Sequence, residues 1–366
     1  MTNTTFTEKS KRKRGSGGGS NKNKNRLEKD AAIAIIGCGI ASLSTAISLT
    51  QAGFTNVSIF ERDACQASRR EGFGLTLSYN PKGPLNHLGI LEQVAQQDCP
   101  SRSHYIFQPD GIVCGYYGNA FLPGRGTGQR GNIRIPRQRL QQIMTNRFVE
   151  LLEQTKTELG CSSSGGHKIF WGHELTGIRE VEGSEKKVEV ELTTNSNNNN
   201  NNNSSNNNNP TTVTILKKNF DLVIAADGVR SAVVKSLAPK CRPKPLHVML
   251  ILGITDNFHH PLLTERGFYV LDGKHRLFTM PYEGDSYASE RRIMWQLSYR
   301  YDGDNNNEEE EEDTADNEGQ DTTIFLNQQR GNPDFLREKV LEICSHWHDP
   351  IPAMIRATPR ETIWGT

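Results

Sequence analysis

Residues 31–61 read AAIAIIGCGIASLSTAISLTQAGFTNVSIFE. Ala31–Ile36 is an unbroken apolar run, the pattern of a parallel strand covered on both faces, with no polar side to alternate with. Leu43 to Ala52 then carries the 3.6-residue period of an amphipathic helix, and Gly53 ends it. Asn56–Glu61 (NVSIFE) alternates as a second strand. Strand, helix and strand make a βαβ unit, which demands a parallel sheet and a right-handed crossover. The expected fold class is therefore α/β, built on a Rossmann-type domain.

The turn between strand and helix is Gly37-Cys38-Gly39-Ile40-Ala41-Ser42. Gly37 makes the tight turn. Gly39 leaves room where any Cβ would collide with a pyrophosphate on the helix N-terminus, whose free N–H groups and dipole favour anions. The third fingerprint position holds Ser42, small enough for helix-to-strand packing but bringing a hydroxyl that must find a partner. Glu61 closes the second strand, where a carboxylate accepts hydrogen bonds from adenosine ribose hydroxyls and disfavours a 2′-phosphate. The pattern calls for FAD or NAD rather than NADP. These residues alone leave flavin and nicotinamide both open.

A second segment separates the two. Asp221–Leu237, DLVIAADGVRSAVVKSL, is a buried strand that runs into Asp227-Gly228 and then a helix start. Together with the glycine turn, Glu61-Arg62 and the Arg137-x-x-Leu140 pair in IPRQRLQQIM, it closely resembles the single-component FAD-dependent aromatic hydroxylases, a group that includes salicylate and para-hydroxybenzoate hydroxylases and zeaxanthin epoxidase. The resemblance runs from about Ala31 to Thr366. It implies that Glu61 holds the adenosine ribose, that Arg62 and Arg137 lie along the FAD, and that Asp227 and Gly228 close over the pyrophosphate. It also implies that Glu71–Leu91 forms the loop and helix beneath the isoalloxazine, with Gly72 and Gly74 permitting close approach. The strand-like runs Val248–Ile254, Arg266–Leu271, His275–Pro281 and Arg292–Tyr301 correspond to the family's mostly antiparallel substrate-domain sheet. His275, Arg276, Tyr282 and Tyr79 are candidate pocket residues, and no residue is singled out as a catalytic base.

Composition fits this division. The chain has 366 residues, only 34% of them apolar, but the deficit is local. Residues 1–30 carry nine Lys/Arg against three acids, residues 195–209 are Asn and Ser only, and residues 302–321 carry eleven acids and no base. Outside them the composition is that of an ordinary globular protein. The expected map is a disordered basic tail over 1–30, an FAD-binding domain over 31–240 with the Asn-rich insertion 195–209, and a substrate-domain sheet over 241–331 with the acidic insertion 302–321. Residues 332–366 supply a helix and an incomplete return to the FAD domain. Lys9–Arg14 (KSKRKR) could serve as a nuclear address, although a solvated tail explains it as well. Gly124–Gly131 lacks the Gly-Lys-Ser/Thr ending of a phosphate loop. Seven cysteines without a CxxC pair give neither a disulfide framework nor a zinc spacing, and His346-Trp347-His348 with Cys344 has no partner cluster for a metal. The expected location is the reducing cytoplasm, with no membrane span and no nucleic-acid partner.

The resemblance implies an FAD-dependent monooxygenase that uses NAD(P)H and inserts one oxygen atom from O2 into a small aromatic or polyene substrate. The family's third FAD motif, a Gly-Asp followed by Ala, normally comes shortly after a segment like Arg360–Thr366. Neither Gly284-Asp285 nor Gly303-Asp304 stands in that context. The expectation is thus a chain that stops short of this motif and holds FAD weakly. The competing readings are a catalytically impaired flavin-binding remnant or interaction protein, and an NAD-dependent dehydrogenase, which leaves the Asp227-Gly228 segment unexplained.

Overall fold

A computed structural model of the protein describes residues 27–68, 72–99, 101, 103–118, 132–159, 168–181, 187–196, 212–241, 243–244, 246–283, 291–300 and 331–366. The basic patch 9–14, the glycine-rich segment 124–131 and the acidic insertion lie outside them, as does all but the first two residues of the Asn-rich insertion.

Strand β1 (Ile33–Ile36) lies between β2 (Val57–Glu61) and β11 (Leu222–Ala225), and β7 (Lys168–Trp171) completes the four-stranded sheet β11-β1-β2-β7. All its pairings are parallel, as the βαβ reading requires. The unbroken apolar run of β1 has a simple cause. Ile33 and Ile35 enter a core with Leu43 and Ile47 of helix α1 (Ile40–Gln51) and Phe148 of α4 (Arg137–Leu159). Ala34 and Ile36 enter the core on the other face, with Phe60, Leu192 and Phe220. That second face is covered by a three-stranded antiparallel sheet of β8 (His173–Val181), β9 (Lys187–Ser196) and β10 (Thr212–Phe220). β9 and β10 pair up to Ser196 and Thr212, so the Asn-rich tract joins the two strands of one hairpin.

The second large sheet has seven strands in the order β16-β12-β15-β14-β13-β4-β5. Four follow the expected runs: β12 (Val248–Asp256), β13 (Arg266–Leu271), β14 (His275–Glu283) and β15 (Arg292–Arg300). The others are β4 (Ser103–Phe107), β5 (Val113–Gly118) and β16 (Ile363–Gly365). Only β4 and β13 pair in parallel; every other neighbour is antiparallel. Thus the sheet expected within 241–331 also recruits strands from residues 103–118 and 363–365. Helices α6 (Pro333–Cys344) and α7 (Ile351–Ala357) cover one of its faces, burying Trp295, Leu297, Phe268 and Leu277 against Leu336, Val340 and Ile355. In the described structure residues 333–366 therefore pack on this sheet.

A two-stranded antiparallel ribbon, β3 (Gly74–Ser78) with β6 (Asn132–Pro136), stands between the two bodies. Side chains alternate across a strand. Leu75, Leu77, Ile133 and Ile135 point into the core of the parallel-sheet domain. Gly74, Thr76, Arg134 and Pro136 occupy the opposite side, turned to the seven-stranded sheet.

Candidate functional site

Three turns meet at the carboxyl end of the parallel sheet. Gly37 has φ +94° and donates its N–H to the Phe60 carbonyl at 2.8 Å. A Cβ on it would lie 2.8 Å from the Ala226 carbonyl oxygen and 2.9 Å from Asp227 Cα, both backbone atoms. So only glycine lets the first turn slide past the end of β11, and this contact joins the glycine turn to the Asp227-Gly228 turn. Gly39 is the N-cap of α1, with extended backbone and no side chain capping the helix. The direction of its missing Cβ meets no atom within 4 Å. An uncapped helix N-terminus beside a side-chain-free position is a cradle suited to a pyrophosphate. Ser42 is fully buried, and its hydroxyl donates to the Ala226 carbonyl at 3.3 Å, which satisfies the group that replaces glycine or alanine.

Glu61 is buried at the end of β2. Its Oε2 accepts the Cys38 N–H at 2.6 Å and its Oε1 the Asp63 N–H at 3.1 Å, so the carboxylate ties the second strand to the glycine turn. Each oxygen keeps a further lone pair for a ribose hydroxyl. Burial, together with the neighbouring Glu61 and Asp63 charges, pushes the Cys38 thiol up to about 12, so it stays protonated inside the turn.

Arg137 opens α4, half-buried, with its N–H donated to the Phe73 carbonyl at 3.1 Å; Arg62 is exposed. One turn after Arg137, Gln141 donates from Nε2 to the Cys38 carbonyl at 2.6 Å, so α4 braces the glycine turn from the side opposite Glu61. The sequence reading missed Gln141. Its i+4 spacing from Arg137 places both on one helix face and could have flagged it.

Asp227 does local work as well. Its Oδ2 accepts the Ala232 and Val233 N–H groups at 2.7 and 3.4 Å, while Ser231 Oγ accepts that of Val234 at 3.0 Å, so the pair caps α5 (Ala232–Leu237). Gly228, at φ +84°, has open space where a side chain would stand.

Gly74 differs from its expected surroundings. A Cβ on it would lie 3.1 Å from Met280 Cε and Met294 Sδ, so the close approach it permits is that of the ribbon to the seven-stranded sheet. The Tyr282 hydroxyl donates to the Gly72 carbonyl at 3.4 Å across the same seam. Of the candidate pocket residues, Tyr282 and Arg276 share the ribbon-facing side of β14 with Phe278 and Met280. His275 alternates to the helix-covered side with Leu277 and bonds Asp272 at 2.7 Å. Tyr79 packs against the parallel-sheet core and bonds Glu92 at 3.0 Å. The structure therefore does not bring His275 and Tyr79 to the pocket side. Among the described residues, no group of three or more His, Cys, Asp and Glu could hold a metal ion, and no helix is long and apolar enough to cross a membrane.

No curated protein matches the chain in sequence. Solved structures resemble it in fold. One is an FAD-containing monooxygenase of Photorhabdus luminescens subsp. laumondii TTO1, itself described as putative: 14% identical, TM-score 0.60, covering 92% of this chain and 75% of its own. Another is a single-residue variant of Klebsiella pneumoniae HpxO complexed with FAD: 17% identical, TM-score 0.57, covering 92% of this chain and 68% of its own. A third is PqsL of P. aeruginosa in complex with 2-aminobenzoylacetate: 16% identical, TM-score 0.55, covering 92% and 73%. At these identities the likeness is one of fold. A family model described as FAD binding domain matches residues 30–324, most of the chain, and spans the glycine turn, Glu61, Arg137 and Asp227-Gly228 alike. The chain thus belongs to the FAD binding domain family, and its cofactor is FAD.

Proposed function

We propose that the protein is a monooxygenase that oxidises NAD(P)H and places one oxygen atom of O2 on a small aromatic or polyene substrate. One observation carries this reading. The glycine turn is bonded through Cys38 to Gln141 of α4, the helix that begins where β6 of the ribbon ends, and Gly74 of the same ribbon meets Met280 and Met294 on a sheet face that also carries Phe278 and Tyr282. In this reading Gly39 admits the pyrophosphate to the α1 N-terminus, Glu61 takes the ribose hydroxyls, and Ser42 packs helix on strand. Arg62 and Arg137 lie along the cofactor, and Asp227 and Gly228 cover the pyrophosphate. Gly74 brings the substrate sheet up to the ribbon. FAD, when bound, supplies the redox chemistry with O2, and the protein supplies orientation and a dry apolar surface. A reducing, intracellular setting agrees with six described cysteines that are all free.

The test is to purify the full chain, record its visible absorbance for bound flavin, and follow NADH and NADPH oxidation with and without a panel of aromatic substrates under isotopically labelled O2. Label in the product, with faster NAD(P)H oxidation when substrate is present, is the expected result. A flavin-free protein, or one whose product takes its oxygen from water, refutes the reading.

A further inference from the structure

The peptide units on the two sides of Cys38 are each held by a side chain from a different element. The Gly37–Cys38 unit gives its N–H to Glu61 Oε2 at 2.6 Å, from the end of β2. The Cys38–Gly39 unit offers its carbonyl to Gln141 Nε2 of α4, also at 2.6 Å. A carbonyl only accepts, so the Gln141 amide must present its nitrogen here and not its oxygen.

The second bond fixes a direction. A trans peptide unit points its C=O and its N–H to opposite sides, and the bond between Cys38 and Gly39 is trans. With its carbonyl drawn toward α4, this unit turns the Gly39 N–H the other way. The Gly39, Ile40 and Ala41 N–H groups have no acceptor among the described residues, so the unit adds a third donor to the two at the start of α1. Successive free N–H groups of this kind make an anion-binding concavity.

Without Gln141 the unit has a second state within reach. Gly39 has no Cβ, and the direction of one meets no atom within 4 Å, so the glycine side offers little resistance to a half-turn of the peptide. That half-turn would put the Cys38 carbonyl, the negative end of the peptide dipole, where the N–H now points. One state attracts a phosphate oxygen and the other repels it.

Gln141 stands on a firm base. It is half-buried on α4, whose Leu140, Met144 and Phe148 pack into the core with Leu43 and Ile47 of α1. Thr145, one turn on, donates from Oγ1 to the Gln141 carbonyl at 2.9 Å and accepts from Gln66 Nε2 at 3.2 Å, which ties this part of α4 to the segment after β2. The amide is also neutral, so it holds the Cys38 carbonyl without adding a charge beside the cradle.

We propose that Gln141 is a positioning residue for the pyrophosphate of FAD: it keeps the Cys38 carbonyl against α4 and so keeps the Gly39 N–H aimed at the phosphate oxygens. It acts through the Cys38–Gly39 peptide and not by a contact of its own with the cofactor. The proposal rests on FAD as the cofactor and is independent of the reaction that follows.

The experiment measures binding of FAD, ADP and adenosine to the flavin-free full chain, by flavin fluorescence for FAD and by saturation-transfer NMR titration for the other two. Gln141→Leu keeps much of the bulk and removes the donor. It should weaken FAD and ADP by about tenfold, the upper range for one neutral hydrogen bond, and leave adenosine, which has no phosphate, within about twofold. Gln141→Glu should weaken FAD and ADP further, because a carboxylate cannot donate to the Cys38 carbonyl and adds a negative charge near the phosphates. Glu61→Ala serves as the contrast, since loss of the ribose contact should weaken all three ligands. Urea midpoints check that each variant folds, and Gln141→Ala supplies a second donor-free variant if leucine is too bulky. A loss shared equally by FAD, ADP and adenosine would mean that Gln141 only holds the fold, and overturns the proposal. Unchanged FAD and ADP binding in the Gln141 variants, or a wild-type chain that binds none of the three, overturns it as well.

Discussion

Gly37 and Gly39 stand two residues apart in one turn, yet alanine at the two positions should fail in opposite ways. At Gly37 the backbone is at φ +94°, and the new methyl would lie 2.8 Å from the Ala226 oxygen and 2.9 Å from Asp227 Cα. Strain of about 1–3 kcal/mol from the backbone and a similar overpacking term put the cost at about 2–5 kcal/mol of folding free energy. At Gly39 the backbone is extended at φ −84°, which any residue adopts, and the methyl meets nothing within 4 Å. There the folding cost is only that of a poorer N-cap, about 1 kcal/mol or less. Cofactor binding runs the other way, since the Gly39 methyl would occupy the space assigned to the pyrophosphate. Losing one charged hydrogen bond there costs about 1.5–3 kcal/mol, at least a tenfold weakening. Urea unfolding of the cofactor-free variants, paired with FAD titration by flavin fluorescence, measures both quantities. If Gly39→Ala keeps FAD affinity, or destabilises the fold as much as Gly37→Ala, the assignment of this turn to the cofactor is refuted.

Glu61→Ala should weaken FAD by about 1.5–3 kcal/mol, and Glu61→Gln should recover part of it, read by the same titration. His104 is buried neutral with its pKa lowered from 6.5 to about 4. The unfolded chain therefore binds the extra proton first, and the stability linked to this residue is present above pH 6.5 and lost as pH falls toward 4; His104→Gln should flatten that part of a pH series of urea midpoints. Cys38 has the opposite sign in the alkaline range, its raised pKa removing stability as pH climbs from about 9 to about 12, and Cys38→Ser should reduce that loss. Deleting residues 197–208 should leave the melting temperature within a few degrees, because β9 and β10 already pair up to Ser196 and Thr212 and loop entropy changes slowly with length. A large drop would mean the tract contributes to the core.

The local elements were readable because each announces itself within a few residues. Ala31–Ile36 is apolar on both faces and lies between two neighbours; Asp221–Leu237 runs strand, turn and capped helix in order. What escaped depends on distance along the chain or on side-chain parity. The parallel pairing of β4 with β13 joins residues more than a hundred and fifty positions apart, and no local pattern encodes it. His275 and Arg276 look equally suited to a pocket, but adjacent strand residues face opposite sides, and Asp272 and Leu277 fix which one turns away. Gly74 reads as a glycine that admits a ligand, yet its neighbours are two methionines from strands two hundred residues later.

The β3–β6 ribbon has a consequence for how this enzyme could change its chemistry. Its alternate residues Leu75, Leu77, Ile133 and Ile135 are committed to the interior of the cofactor domain, whereas Thr76 and Ser78 are exposed on the other side. Under the proposed function, substitutions at Thr76, Ser78 and Asn132 reshape the side turned toward the substrate, while the odd-numbered positions keep the cofactor domain intact. A combinatorial library restricted to Thr76, Ser78 and Asn132 would therefore sample new substrate preferences with few misfolded members, and the same diversity placed one residue along would yield mostly insoluble protein.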